Sequence, residues 1–323
     1  MNDTRAVSRQ RWIQSVLGEG FHIEPLAGDA SFRRYFRIHK DSTHSFVLMD
    51  APPEHEDVEP FLAVRSWLEG AGLRVSHLHA EDRSLGFLLL EDFGDRTWAT
   101  HCLQGADMKP LFDDALRQLQ VLQQGCVDIE LADFDMMRMH RECDLYLDWY
   151  LPKVAGMTPT QQQRKDFHGK LRPWLQTLQD LPFVPVHLDY HSRNLMLPPN
   201  GLPLAIIDFQ DAVVGPVTYD LASLLYDCYQ DYPEDERLRW SASFFAILPN
   251  DIRQAFANFD DWHRKLRITA LQRHIKAIGI FSRLAYRDGK RQFLDELPLT
   301  QRHLKDEMSA LGMNEQEYPL LFV

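Results

Sequence analysis

The sequence predicts an α+β protein of two lobes, a small β-rich lobe over 1–93 and a larger, mainly helical lobe over 94–323. Three observations predict it. Short apolar runs bounded by turn residues crowd the first part of the chain. From about residue 96, apolar residues recur at the helical period. One hairpin signal, Pro199-Asn200-Gly201, then interrupts the helices between two apolar runs that each end in an aspartate.

The elements follow in order. WIQSVLG reads as a short amphipathic helix with Trp12, Ile13, Val16 and Leu17 on one face. RRYFRIHK and SFVLMD read as strands paired across the polar turn DSTH. A helix is expected from about Glu59 to Leu73, and GFLLLEDFGD supplies a last buried strand that Gly94 breaks. PLFDDALRQLQVLQQG carries a clear apolar stripe through Leu111, Phe112, Ala115, Leu116, Leu119 and Leu122. FDMMRMHRECDLYLDWYL is a second helix, and others are expected over 161–180, 219–230, 235–247 and 261–286. NLML and LPLAIID pair as the hairpin around Asn200-Gly201, where positive φ is tolerated.

Composition bounds the function. With 323 residues, 45% hydrophobic and 25% charged, the chain is long and apolar enough for a real core. A formal net charge of -12 repels phosphate backbones, so nucleic acid is excluded as a partner, whereas a single nucleotide is not. Cys102, Cys126, Cys143 and Cys228 are scattered, as reduced thiols are. The N-terminus lacks a signal-peptide core, and no run approaches the ~20 apolar residues of a membrane span. The expectation is a cytoplasmic protein with no membrane partner.

The chemistry concentrates in VHLDYHSRNLMLPPNGLPLAIIDFQD, residues 186–211. Asn194 offers an amide oxygen and Asp208 a carboxylate, and the turn between them brings both within reach of one hard cation such as Mg²⁺. Asp189 stands apart from that pair, free to accept a proton from a hydroxyl. The set suits phosphoryl transfer, in which positioning and charge neutralisation do most of the work. His187, Asp189 and His191 alternate and could instead hold zinc, but that reading leaves Asn194 and Asp208 unexplained.

HLDYHSRN followed by IIDF resembles the catalytic loop and metal-binding aspartate of the protein-kinase-like fold, in its aminoglycoside phosphotransferase and choline kinase branch. The resemblance covers nearly the whole chain. It implies Asp189 as catalytic base, Asn194 and Asp208 as Mg²⁺ ligands, and His187 as a brace of the loop. It also implies that His191 lies where relatives touch the transferred phosphate, and that Asp220, opening a helix in VGPVTYDLASLLYD, ties the loop down. Asp211 is a candidate for substrate or a second metal.

The same resemblance places the phosphate loop at LAGDASFRRYFRI, with Gly28 and Ser31, and the hinge at LLLEDFGD, where adenine meets backbone from Glu91 to Phe93. Kinase-like enzymes carry a lysine where SFVLMD has about Met49. Arg33, Arg34 or Arg37 is expected to replace it, with Arg34 on the opposite strand face from the other two.

GDASFRRYFR, VLMDAPP and HRECDLYLDWYL, with the motifs above, resemble a narrower group, bacterial kinases of the anomeric hydroxyl of N-acetylmuramate and N-acetylglucosamine in cell-wall recycling. That implies ATP as donor and an amino sugar as acceptor; a monomer with small-molecule partners alone is a separate expectation. The lactyl carboxylate of N-acetylmuramate would want a cation from Arg141, His140 or Arg193, and Glu142 and Asp144 could bond sugar hydroxyls. Kinases of choline, homoserine or aminoglycosides are the alternative within the enzyme class. A non-catalytic pseudokinase is the alternative outside it, supported by the missing lysine alone.

Overall fold

The structure is a computed structural model that describes residues 5–26, 32–102, 107–125 and 127–323. α1 (Ala6–Leu17) leads into a five-stranded sheet built from β1 (His22–Pro25), β2 (Arg34–His39), β3 (Ser45–Asp50), β4 (Leu78–Asp82) and β5 (Phe87–Glu91). The strand order is β1-β2-β3-β5-β4, antiparallel throughout. β2 and β3 pair from Arg34 opposite Asp50 to His39 opposite Ser45, as the turn between them predicts. α2 (Glu59–Gly70) crosses over between β3 and β4.

The pleat sends alternate side chains to two different cores. Ile38, Leu48, Phe87 and Leu89 pack with Trp12 and Ile13 of α1 on the outer face. Met49, Leu88 and Leu90 face inward and join the main core with Phe61, Leu62 and Trp67 of α2. That inner face is the roof of a cleft.

The helical lobe begins at α3 (Trp98–Cys102) and α4 (Lys109–Gln124). After β6 (Ala132–Asp133) and α5 (Met136–Leu145), a π-helical segment at Tyr146–Tyr150 runs into α6 (Leu151–Lys153). Then come α7 (Gln161–Gln179), β7 (Phe183–Val186), β8 (Leu195–Met196), β9 (Ala205–Ile206) and β10 (Val213–Pro216). α8 (Tyr219–Leu225), α9 (Glu234–Ile247), α10 (Asn250–Arg253), α11 (Phe259–Tyr286) and α12 (Leu297–Ala310) complete it. β10 pairs with β7 antiparallel and with β6 parallel. The α8 helix stops at Leu225, short of the expected 230, because the turn beyond it is held by the Asp227 carboxylate.

The hairpin forms, but only Leu195–Met196 and Ala205–Ile206 pair. Pro198, Pro199 and Pro203 have no amide hydrogen to give the ladder. α4 clamps the base instead: the Asp114 carboxylate accepts from Leu204 N at 2.8 Å, and Gln118 donates to Leu204 O at 2.9 Å.

α11 is the central strut of the lobe. Gly279 explains how closely it packs: a Cβ there would lie 2.4 Å from Leu145 C and Tyr146 N. That approach, where α5 gives way to the π-helical segment, sets the register in which α11 meets α5.

Candidate functional site

The segment after β7 is built as a rigid loop. Asp220 at the start of α8 accepts from His187 N at 2.7 Å and Leu188 N at 3.0 Å. Burial pushes that carboxyl up to about 6, although His187 and the two N–H donors oppose it. His187 is fixed at both ring nitrogens: Nδ1 accepts from Asp189 N at 3.2 Å, and Nε2 donates to Ile207 O at 3.0 Å. Beyond the turn, Ser192 N donates to Asp227 at 2.9 Å, and Tyr190 Oη donates to Ala115 O at 2.9 Å. Asp220 in α8 and Asp227 in the turn after it thus anchor both ends of the loop. Leu188 and Asp208 carry φ of 76° and 63°, an uncommon region for residues with a Cβ, which clusters at functional sites.

Within this frame Asn194 Nδ2 donates to Asp189 O at 3.0 Å, which directs its Oδ1 away from the loop. Asn194 and Asp208 both line the cavity between the lobes. Asp208 Oδ1 also accepts from Gln210 Nε2 at 2.7 Å. An amide oxygen and a carboxylate facing one cavity are the hard donors that Mg²⁺ takes beside phosphate and water. The zinc alternative does not fit, because both His187 nitrogens are committed, and no three His, Cys, Asp or Glu side chains among the described residues converge as a ligand set.

The Asp189 carboxyl lies below the usual carboxylate range. Burial opposes its ionisation, but Lys276, His191, Arg273 and His187 outweigh that, Lys276 foremost. Arg273 and Lys276 come from α11, and sequence reasoning missed both. Lys276 Nζ donates to Tyr219 Oη at 3.4 Å and lies 3.5 Å from Glu142, whose other oxygen accepts from Gln272 Nε2 at 2.9 Å. A signal was present: α11 is apolar on several sides around LQRHIKAIGIF, so cations inside it are conspicuous.

The cleft between the lobes holds a cavity of about 380 Å³. Val47 and Leu90 line it from the sheet, Met196 and Ile207 from the hairpin, and Glu91 to Asp95 from the hinge. Two apolar walls about a backbone strip suit a flat heterocycle. Glu91 N is already given to His77 O at 2.8 Å, and the Glu91 carboxylate to Arg74 at 2.5 Å. The Phe93 ring is buried beside Met196 and Ala205. Met49 has no charge to offer and takes a 3.6 Å contact from Tyr35 Oη.

The arginines of β2 divide by strand face. Arg37 lines the cavity, bonded to Asp92 at 2.7 Å and Asp95 at 2.8 Å. Arg34 belongs to the other face, 2.7 Å from the buried Asp50 with Arg5 and Arg9, which corrects its expected place in the cleft. Arg33 lies 3.8 Å from Glu56. Gly28 and Ser31 fall outside the described residues.

Of the expected sugar contacts, Glu142 is held by Gln272 and Lys276 of α11. Asp144 turns to α7 and bonds Arg164 at 3.0 Å and His168 at 2.9 Å, because it lies two positions round the helix from Glu142. Arg141 and Asp211 are exposed. Arg193 stacks 3.7 Å over the Tyr229 ring and pairs with Glu296, while His191 meets the same ring edge-on.

The model of the phosphotransferase enzyme family matches residues 22–257. An N-acetylmuramate/N-acetylglucosamine kinase of Pseudomonas putida is 37% identical over 309 residues, spanning 92% of this chain and 90% of that protein. Its namesake in Pseudomonas aeruginosa is 36% identical over 334 residues, 96% of each chain. Among solved structures, the GDP complex of an aminoglycoside 2′-phosphotransferase-IIIa variant superposes with a TM-score of 0.65 at 13% identity, covering 94% of this chain and 99% of that one.

Proposed function

This chain belongs to the phosphotransferase enzyme family, and we propose that it transfers the γ-phosphoryl group of ATP to the anomeric C1 hydroxyl of N-acetylmuramate and N-acetylglucosamine, in peptidoglycan recycling. The observation that carries the reading is the single rigid frame holding Asp189, Asn194 and Asp208, in a chain 36–37% identical to kinases named for these sugars.

Asp189 takes the proton of the attacking hydroxyl. A carboxylate of depressed basicity suffices because an anomeric hydroxyl is more acidic than an ordinary alcohol. His187 and Asp220 hold the loop so that the carboxylate meets that hydroxyl at one angle. Asn194 Oδ1 and the Asp208 carboxylate would hold Mg²⁺, which when bound neutralises phosphate charge. The apolar walls and the hinge backbone take the adenine.

The test is turnover with ATP and Mg²⁺, with the product read by ³¹P NMR. A glycosyl phosphate from both sugars is expected. Asp189→Asn lowers kcat about 10³-fold while ATP affinity stays within about threefold. Phosphate appearing only on choline or an aminoglycoside, or on a hydroxyl other than C1, would sink the assignment.

A further inference from the structure

Arg273 is an anomaly. It is 7% exposed, yet its Nε and Nη1 have no hydrogen-bond partner. Among the described residues no carboxylate lies within 4.0 Å of its guanidinium. A buried cation whose N–H groups go unmet is costly, because the hydrogen bonds it had in water are not replaced. Chains keep such a group where a ligand supplies the missing charge.

Its place is defined by Tyr219. The Arg273 guanidinium carbon lies 5.4 Å from the Tyr219 ring centroid, and Lys276 Nζ lies 5.9 Å from the same centroid. Tyr219 adjoins Asp220, whose carboxylate grips the two peptides just before Asp189. The two cations therefore meet the catalytic loop from the α8–α11 side. The nucleotide cavity lies elsewhere: its lining comes from the sheet lobe, including Phe61 of α2, from the hinge and from residues 194–210, with none from α5, α8 or α11. Lys276 lies 3.5 Å from Glu142, whereas no carboxylate among the described residues pairs directly with Arg273, and Asp189 and Asp227 act on it only from a distance.

We propose that Arg273 is a specificity-determining residue, pairing with the 3-O-lactyl carboxylate of N-acetylmuramate while Glu142, held by Gln272 and Lys276, faces the sugar hydroxyls. The inference rests on the sugar kinase reading above. A planar guanidinium with unspent N–H groups suits a carboxylate fork to fork. N-acetylglucosamine has no such carboxylate, so the site ranks the two acceptors. The transferred phosphoryl group is the competing anion, and it is common to both sugars.

The experiment compares kcat/KM for N-acetylmuramate, its methyl ester and N-acetylglucosamine in wild type, Arg273→Gln and Arg273→Lys. In wild type the ester is expected to fall about 10- to 100-fold below the acid. Arg273→Gln lowers the ratio of N-acetylmuramate to N-acetylglucosamine by a similar factor and treats acid and ester alike. Arg273→Lys, which keeps the charge without the fork, falls between, and it carries the test if the glutamine variant does not fold. An unchanged ratio, with both sugars losing equally, overturns the site and assigns Arg273 to the phosphoryl group or the fold. Wild type reading acid and ester alike overturns it too. Wild type phosphorylating neither sugar overturns the reaction itself.

Discussion

Arg37 of the sheet lobe and Arg273 of the helical lobe are treated in opposite ways. In the sheet lobe Arg37 lines the cleft and pairs with Asp92 and Asp95, and on the outer face Arg34, Arg5 and Arg9 share Asp50. In the helical lobe, Arg273 is as deeply buried and has no carboxylate within reach among the described residues. A paired buried charge holds structure together, and its removal is felt as lost stability. An unpaired one contributes little to the fold and is explained by what binds. The lobes can be told apart by which measurement a substitution moves.

Asp50→Ala should give the largest effect. The carboxylate is fully buried with three guanidiniums around it, so its loss leaves like charges crowded where α1 meets the sheet. Denaturant unfolding should show a loss of about 5 kcal/mol. A loss under about 1 kcal/mol would mean that the arginines repair themselves with solvent, and that pairing in this lobe is not structural.

Arg37→Met comes next. Arg37 is held from two sides, and its partner Asp92 also accepts from Ser45 and Gly94 N. Burial resists ionisation of Asp92, but the Arg37, Ser45 and Gly94 donors keep its carboxyl below the usual range. Removing Arg37 strands that carboxylate, at a cost of about 3 kcal/mol in unfolding experiments. The KM for ATP should rise only a few-fold, because Arg37 lines the hinge end of the cavity. A hundredfold rise without loss of stability would instead make Arg37 the substitute for the absent lysine at Met49.

These contrasts show what the sequence could and could not disclose. Asp189, Asn194 and Asp208 were legible as a proposed set because their spacing is local: one loop and one hairpin carry all three. Asp220, at the start of α8, was legible through the family resemblance, and it does accept from His187 N and Leu188 N. Strand alternation separated Arg34 from Arg37 and Arg33, but not which face was the cleft, since that depends on which layer covers each side. Arg273 and Lys276 were not legible as site residues. Their charges act on Asp189 only because α11 crosses α8 and packs on α5 at Gly279, and no local pattern encodes that crossing. Asp144 differs: helix spacing alone places it on another face from Glu142, and that face meets Arg164 and His168 of α7.

Glu307 on α12 carries the comparison to its smallest expected effect. Like Asp50 it is fully buried, but the charge balance is reversed. Its Oε2 is 3.1 Å from Arg267, which Glu234 also claims, and its Oε1 has no partner. Burial pushes its carboxyl up to about 8, with Arg267 opposing. The unfolded chain has an ordinary glutamate, so the folded state holds this proton more tightly. The stability it contributes is therefore complete below about pH 4.5 and is lost as pH rises through about 8. Glu307→Gln copies the protonated form and should flatten that slope. Thermal unfolding at pH 6 and pH 9 should show the variant gaining on wild type by about 2–4 °C at the higher pH. Parallel melting curves at the two pH values would mean that Arg267 keeps the carboxylate ionised, and that this lobe too settles its buried charges in pairs.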